Sequence, residues 1–261
     1  MDDSRLMLTD DSWGRMAAVI AEVKSRAGSP PEIPDRDFVE AVLYLARTGC
    51  PWRDLPRRFG DWNAAYQRFR RWLRIGVWRA LFERLPADLA AVRTVFFDSS
   101  VVRGHQHAAG ARRVHGGAEA QALGRSRGGF GTKIHLAAAD ERTAVAVVLT
   151  AGQCGDAPQF IAVCEAVPEE CPVDAAVADK AFDSDAIREY LVDRDIAPVI
   201  PSTANRAEPI EYDAAMYRER NRVERLFNRL KQFRRIATRY EKPALTFLAM
   251  VHLVASVVMI R

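Results

Sequence analysis

Near its C-terminal end the chain places Tyr217, Arg220, Glu224 and Lys231 at separations of three, four and seven residues. On an α-helix turning about 100° per residue these four side chains share a stripe about 60° wide. Val223, Leu226, Phe227, Leu230 and Phe233 fill the neighbouring sector. One side of such a helix docks on a core, and the stripe lies at the edge of that contact. A carboxylate there sits among cations, which lower its pKa and hold it ionised, the state in which it ligates a metal. An ordinary surface helix with i,i+4 ion pairs explains the charges. It does not explain a Tyr, an Arg, a Glu and a Lys in one register.

Two aspartates offer themselves as partners for Glu224. Asp98 follows the apolar run Val95-Phe96-Phe97 and precedes Ser99-Ser100; Asp179 follows Ala175-Ala176-Val177-Ala178 and precedes Lys180. Each is expected at or near the end of an apolar strand, where a lone buried carboxylate costs several kcal/mol unless paired or metal-bound. Either alone reads equally well as a cap or turn residue. Three such carboxylates on two strands and a facing helix would make a site for Mg²⁺, a hard cation that takes oxygen ligands and leaves positions open for phosphate and water.

The elements that must position these groups are legible from composition. Residues 92–102 are β-branched and aromatic and predict a buried strand. Residues 133–139 and 144–150 predict a hairpin, and 173–178 and 197–200 two further strands. Helices are predicted over 158–167, 184–194 and 214–236, with an apolar one over 244–260. Strands and helices in this mixed order indicate a three-layer α/β domain with a partly antiparallel sheet. Residues 103–131, rich in Gly, Ala, Arg and His, read as a long basic loop. The 244–260 run has only the minimum length for a bilayer and carries His252 near its centre. A buried core helix with a hydrogen-bonded histidine is expected instead.

The composition before Ala91 is different. Asp35 is placed to cap a helix carrying Phe38, Val39, Val42, Leu43 and Leu45. Thr48-Gly49-Cys50-Pro51 ends it, a further helix runs from Asn63 towards Gly76, and another from Val77 stops at Pro86. Several short helices with an arginine-rich third one resemble a helix-turn-helix module. Within residues 57–74, arginines interleave with Trp62, Tyr66, Phe69 and Trp72, so aromatics are expected inward and arginines outward. Arg70 and Arg71 are the candidate DNA contacts there. The domain boundary is placed between residues 91 and 92.

Charge is concentrated, with a net of only +4. Residues 47–84 hold ten arginines against Asp54, Asp61 and Glu83, and residues 218–235 hold seven arginines and Lys231 against Glu219 and Glu224. Two basic segments on an otherwise acidic chain point to a polyanionic partner. With 261 residues, 49% hydrophobic and 28% charged, the chain excludes a disordered or disulfide-stapled class. Cys50, Cys154, Cys164 and Cys171 form no C-x-x-C pair and are expected as reduced thiols. No signal peptide is visible in the first fifteen residues, which predicts a cytoplasmic protein without a membrane span.

Other features are weaker. His105 and His107 form H-x-H, but no third histidine lies at zinc-ligand spacing. With Arg103, Arg112 and Arg113 they are expected to contact phosphate or DNA. His115 and His135 are isolated and expected to be structural or on the surface. Gly124, Gly128, Gly129 and Gly131 before Lys133 are not a nucleotide loop, because Thr132 separates Gly from Lys and a strand follows. Asp156 reads either as an acid standing behind a metal ligand or as a cap for the helix near Pro158, and the cap is the expectation.

Taken together, these segments resemble the DDE transposases of the bacterial insertion sequence five group. The resemblance rests on Trp52-Arg53-Asp54-Leu55-Pro56, RFGDWNAAYQRFRRW from Arg58, FDSSVVRGHQHAAGARR from Phe97, ALGRSRGGFGTKIHLA from Ala122, ADKAFDSDAIREYL from Ala178, and YRERNRVERLFNRLKQFRRIATRYEK from Tyr217. The last contains Y-x2-R-x3-E-x6-K without a mismatch, a signature shared with the insertion sequence four group. Ser100 stands where threonine is common and Ala181-Phe182 where Gly-Tyr is usual; neither change removes a ligand.

The resemblance implies an α/β fold, a ribonuclease-H-like mixed sheet flanked by helices (residues 92–261) and preceded by an all-helical DNA-binding domain (residues 1–91). It implies Asp98, Asp179 and Glu224 as catalytic ligands of two Mg²⁺ ions, with Mn²⁺ able to substitute and Asp98 bridging both. Tyr217, Arg220 and Lys231 match accessory positions expected to contact DNA phosphate or hold the glutamate. The implied partner is double-stranded DNA, at terminal inverted repeats and at the target, bound by a dimer associated with the nucleoid. Two ions about 3.5–4 Å apart would clamp the scissile phosphate for hydrolysis and then strand transfer. Two rivals remain at this level: a DNA-binding regulator that has lost catalysis, and a zinc hydrolase built on His105 and His107.

Overall fold

The computed structural model of the chain describes residues 7–24, 31–86, 88–108, 120–126 and 128–261. The basic residues Arg112 and Arg113, and His115, lie outside the described residues. Thr9 starts α1 (Asp10–Val23), its hydroxyl accepting from the Ser12 N–H. The chain just before it is tied down by buried Glu40, whose carboxylate accepts from the Met7 and Leu8 N–H groups. Glu40 belongs to α2 (Asp35–Thr48), which ends where Gly49 takes a left-handed conformation (φ 75°). Asp35 does not cap α2 as expected. It is the first helical residue, and its carboxylate is occupied by Lys24 and Arg68. Asp61 caps α3 (Trp62–Arg74) through the Ala64 N–H, and Gly76 (φ 80°) turns the chain into α4 (Val77–Arg84).

These helices meet around aromatic rings. Phe38 and Trp72 pack edge-on at 4.9 Å, Trp72 and Trp78 lie 5.1 Å apart, and the Trp78 indole N–H donates to the Phe69 carbonyl at 3.2 Å. Arg70, Arg71 and Arg74 point outward, as the interleaved pattern predicts. Arg68 is the exception: it is buried, with its guanidinium over Phe38 at 4.4 Å and donating to the Ile33 carbonyl.

Among the described residues seven strands form one mixed sheet in the order β2-β3-β1-β5-β6, with β4 on β3 and β7 on β1. They are β1 (Thr94–Gly104), β2 (Gly124–Ser126), β3 (Gly129–Ala138), β4 (Ala144–Ala151), β5 (Ala175–Val177), β6 (Ala197–Val199) and β7 (Thr238–Arg239). β1 runs antiparallel to β3 and parallel to β5. The predicted hairpin is β3–β4. The predicted basic loop is shorter than expected, because β1 continues to Gly104 and β2 and β3 arise inside it. Glycine hides the strand there and also permits it, since a Cβ on Gly131 would lie 2.8 Å from the Val102 carbonyl oxygen of β1.

Two helical layers cover the sheet. On one side α5 (Phe160–Glu165) and α6 (Asp185–Val192) pack with Val95, Phe97, Ala137 and Val145. On the other side lies a segment predicted as one long helix, which the structure divides. It is α7 (Ala214–Tyr217), a 3₁₀ turn (Arg218–Arg220), α8 (Asn221–Lys231) and α9 (Arg234–Ala237). The break before α9 is at Phe233, whose extended backbone (φ −87°, ψ 113°) accompanies a buried ring. The apolar α10 (Ala244–Met259) is buried on nearly every side, between α4, α2 and α3 and the sheet-facing α8. One hydrophobic core therefore runs from the N-terminal helices through α10 to Phe96, Ile134 and Leu136 of the sheet. Among the described residues no helix is long and apolar enough to cross a membrane. His252 is buried as expected, stacked on Phe82 at 4.7 Å, and burial pushes its imidazole down to about 4.

The turn after β5 is anchored by Asp183, whose side chain is fully buried. It accepts from Arg188 at 2.9 Å, from Arg206 at 3.0 Å and from the Thr203 N–H at 2.7 Å. Burial alone would raise this carboxyl, but these donors outweigh it and hold it well below the usual carboxylate range. A lowered folded pKa means stabilisation that is complete above the unfolded value near 3.9 and lost as pH falls through the folded value. Asp183→Asn is therefore expected to cost on the order of 3 kcal/mol at pH 7. In urea melts at pH 7 and at progressively lower pH, it should lose less further stability on acidification than the parent chain.

Candidate active site

The site begins where two parallel strands part. The last registered pair between β1 and β5 is Phe96 with Val177. β5 then ends, while β1 continues through Gly104. Asp98 lies two residues past that pair on β1, and Asp179 lies two residues past it on the departing chain. Their carboxylates thus flank a fork at the C-terminal end of a parallel pair, where β1 also borders the antiparallel half of the sheet. Open α/β sheets offer ligand crevices at such switch points. Asp98 is not at a strand end, as expected from sequence; what ends beside it is its neighbour.

Strand alternation puts Phe96, Asp98, Ser100 and Val102 on the face covered by α8. The Arg220 guanidinium donates to Asp98 Oδ2 at 3.5 Å and to Glu224 Oε1. The Ser99 N–H donates to Asp98 Oδ1 at 2.8 Å. Lys231 Nζ donates to Ser100 Oγ at 2.5 Å and to the Val101 carbonyl at 3.4 Å. Asp179 spends one oxygen on the Ala181 N–H at 2.7 Å, capping the 3₁₀ turn Lys180–Phe182. Tyr217 packs edge-on against Tyr212 at 5.5 Å. The predicted stripe survives the break in the helix for a geometric reason. Residues three apart eclipse in a 3₁₀ turn, so Arg220 stands over Tyr217, and Glu224 and Lys231 follow within about 40°.

Asp98 lies within the fields of both other carboxylates. Burial pushes the Asp98 carboxyl up; the Ser99 N–H and Arg220 pull it down, and the charges of Asp179 and Glu224 push it up again, leaving it raised. Burial works against the Arg220 charge, yet Asp98, Glu224, Tyr217 and Asp179 outweigh it and raise its pKa. Burial lowers the Lys231 ammonium, opposed by Asp98. Among the described residues no group of three or more His, Cys, Asp or Glu side chains is drawn tightly enough to enclose a metal ion. Arg220 stands between Asp98 and Glu224 instead. The donor set is nonetheless all oxygen and partly exposed, which suits a hard divalent cation.

Other predicted residues are elsewhere. His105 and His107 lie beyond the far end of β1, with Gly104 roughly 20 Å along the strand from Asp98 at 3.3 Å per residue. Their rings meet at 4.6 Å, and His105 stacks on Tyr240 at 4.9 Å. Arg70 and Arg71 are exposed on α3, Arg70 over Tyr66 at 5.9 Å.

Sequence reasoning missed a polar cluster on the opposite face of the sheet. Asp156 makes no capping hydrogen bond. It accepts instead from Ser99 Oγ at 2.6 Å and Lys133 Nζ at 2.9 Å. His135, expected to be structural or on the surface, is buried, and its Nε2 lies 2.8 Å from Thr150 Oγ1. The signal was available in parity: once β1 pairs with β3, Ser99 lies opposite His135 and shares its face with Lys133.

Comparison with known proteins gives this geometry a lineage. Residues 8–82 match the family model described as "Putative transposase of IS4/5 family", and residues 92–259 match "Transposase DDE domain". The chain belongs to the DDE transposase family. Its mixed sheet between helices is accordingly the ribonuclease-H-like fold, and DDE domains generally use divalent metal ions. This DDE family member is 30% identical over 131 residues to a "Putative transposase for insertion sequence element IS6501" of Brucella ovis, covering 50% of this chain and 98% of that one. It is 41% identical over 111 residues to "Uncharacterized protein y4sN" of Sinorhizobium fredii (42% and 86%). It is 29% identical over 101 residues to an "Insertion element IS402 uncharacterized 16.2 kDa protein" of Burkholderia cepacia (37% and 69%). No solved structure gives a significant match.

Because Arg220 is a cation against Asp98, Arg220→Gln should move the Asp98 titration midpoint further up. Carboxyl carbon NMR of the metal-free protein measures this directly. An unchanged midpoint would remove Arg220 from the electrostatics of the site.

Proposed function

We propose that this chain cuts DNA at the ends of an insertion sequence and joins the freed 3′-hydroxyl to a target strand. In this reading Asp98, Asp179 and Glu224 are the divalent-metal ligands. One observation carries it: Asp98 and Asp179 flank the β1–β5 fork at equal register while Arg220 draws Glu224 and Asp98 together above it. Asp98, Asp179 and Glu224 would hold a pair of Mg²⁺ ions, or Mn²⁺ in their place, whose chemistry would be to lower the pKa of an attacking water and to offset charge on the scissile phosphate.

The chain's own groups do the rest. Asp98, half-buried and oriented by the Ser99 N–H, presents its second oxygen to the Arg220 guanidinium. Arg220 is a planar donor fork of the kind that binds phosphate bidentately once its carboxylates have another partner. Lys231, fixed over β1 through Ser100, adds a positive charge beside the strand that carries Asp98. Tyr217 borders Arg220 and limits where a DNA backbone can lie. Exposed Arg70 and Arg71 on α3, with His105 and His107 beyond β1, extend the phosphate-binding surface along double-stranded DNA.

Residues 1–91 would supply most end recognition and residues 92–261 the chemistry, with α10 joining the two through their common core. A dimer on DNA, holding two ends at once, and work at the nucleoid in the cytoplasm follow from this reading.

Asp98→Ala, Asp179→Ala and Glu224→Ala should each reduce end cleavage about a thousandfold or more while leaving DNA binding nearly intact. Nick mapping on the chain's genomic flanking DNA with Mg²⁺ measures this. Tight binding with no cleavage by the unaltered chain would favour the regulator, and zinc retained through chelation the hydrolase. Binding should also weaken steeply with salt, and replacing Arg70 and Arg71 by alanine should reduce the logarithmic slope by about one to two. Salt titrations by fluorescence anisotropy check it.

A further inference from the structure

Beyond residue 96 the β1 strand loses β5 as a neighbour, yet this is where Asp98 must be held still. On that stretch β1 is laddered only to β3 until β7 pairs at Arg103. The polar cluster on the opposite face of the sheet lies at this exposed stretch. Lys133 Nζ is anchored by the Cys154 carbonyl at 2.6 Å and donates to Asp156. Asp156 in turn accepts from Ser99 Oγ. The Ser99 backbone N–H then donates through to the other face, to Asp98 Oδ1. Two sets of charge-assisted hydrogen bonds thus meet at Ser99, whose hydroxyl is tied to the Lys133–Asp156 pair and whose backbone N–H holds the Asp98 carboxylate.

We propose that Ser99 and Asp156, braced by Lys133, are positioning residues for Asp98: they take the place of the missing sheet neighbour and fix the orientation of the carboxylate that receives the divalent cation. The inference rests on the metal-ligand reading of Asp98. Three features favour a dedicated role. Ser99 spends its hydroxyl on Asp156, not on a strand partner. Asp156 stands at the N-cap position of the 3₁₀ turn Ala157–Gln159, yet its carboxylate makes no capping hydrogen bond. Lys133 is largely enclosed, its side chain 12% exposed, and such an ammonium is held inside only by partners such as these. Groups standing behind a metal ligand change metal affinity by about 10- to 100-fold when removed, because the ligand then samples orientations that do not bind.

The test is Mn²⁺ binding to the full chain by isothermal titration calorimetry, beside thermal melting of the same samples. Ser99→Ala removes the hydroxyl and leaves Asp156 paired with Lys133. It should weaken Mn²⁺ binding about tenfold while the melting temperature moves by only a few degrees. Ser99→Thr keeps the hydroxyl and should restore the affinity. Asp156→Asn should fall between them. Thr150→Ala strips a hydroxyl from the same face without touching Ser99 or Asp156 and should leave the affinity unchanged.

Equal affinity in Ser99→Ala and the parent chain overturns the positioning role, provided Asp98→Ala loses binding. An equal loss in Thr150→Ala also overturns it, because the effect would then belong to the whole face. Mn²⁺ behaviour of Asp98→Ala indistinguishable from that of the parent chain overturns the metal-ligand reading and the positioning role together.

Discussion

Like charges gathered at one end of a sheet repel one another, and the protein meets that repulsion with a single guanidinium. Arg220 bonds Asp98 and Glu224 at once and lies within the field of Asp179, so an acidic cluster on a half-buried surface is partly compensated from inside the chain. Most of the surrounding architecture serves this contact. The 3₁₀ turn Arg218–Arg220 aims the side chain, α8 carries Glu224 one turn further on, and Lys231 pins the far end of that helix to β1. The parting of β5 from β1 opens the space into which the carboxylates project.

The same contact explains why the carboxylates are near one another without closing into a cage. A guanidinium is wide, so two carboxylates that share one are drawn into the same site without coming into contact with each other. The N-terminal helices are bound to this arrangement through α10, whose buried surface is shared by Trp78 and Phe38 on one side and Ile134 and Leu136 on the other. A DNA-binding face on α3 and a cleavage site on β1 would then be held in one frame by a common apolar core.

Much of this was legible from residue type and spacing. The carboxylates announce themselves by following apolar runs, and the Tyr217–Lys231 stripe by its period. The β3–β4 hairpin shows in two runs joined by the polar turn Asp140-Glu141-Arg142-Thr143, and the buried character of residues 244–260 in their composition. What was not legible depended on tertiary context. Asp156 looked like a cap because Pro158 follows it, and only the β1–β3 register reveals that Ser99 and Lys133 compete for it and win. Asp35 has the right type to cap α2, but Lys24 and Arg68 claim its oxygens. The strands inside the glycine-rich segment carry little side-chain pattern, since closeness of backbones is what they are built for. The interruption at Phe233 follows from where its ring must be buried, which no helical period encodes.

The placement of α10 also governs how the molecule comes into being. Ser12 Oγ donates to the Ile260 carbonyl at 3.3 Å, a contact spanning 248 positions, and the helix between Pro243 and Ile260 fills the space under α4. Contacts of such high sequence separation form late and slow the approach to the native state. While the nascent polypeptide is still being made, its early helices can pack their aromatic rings on one another but lack the partner that covers the α4 face, where Phe82 meets His252. Their shared core can close only once residues 244–259 have been made and folded back against them.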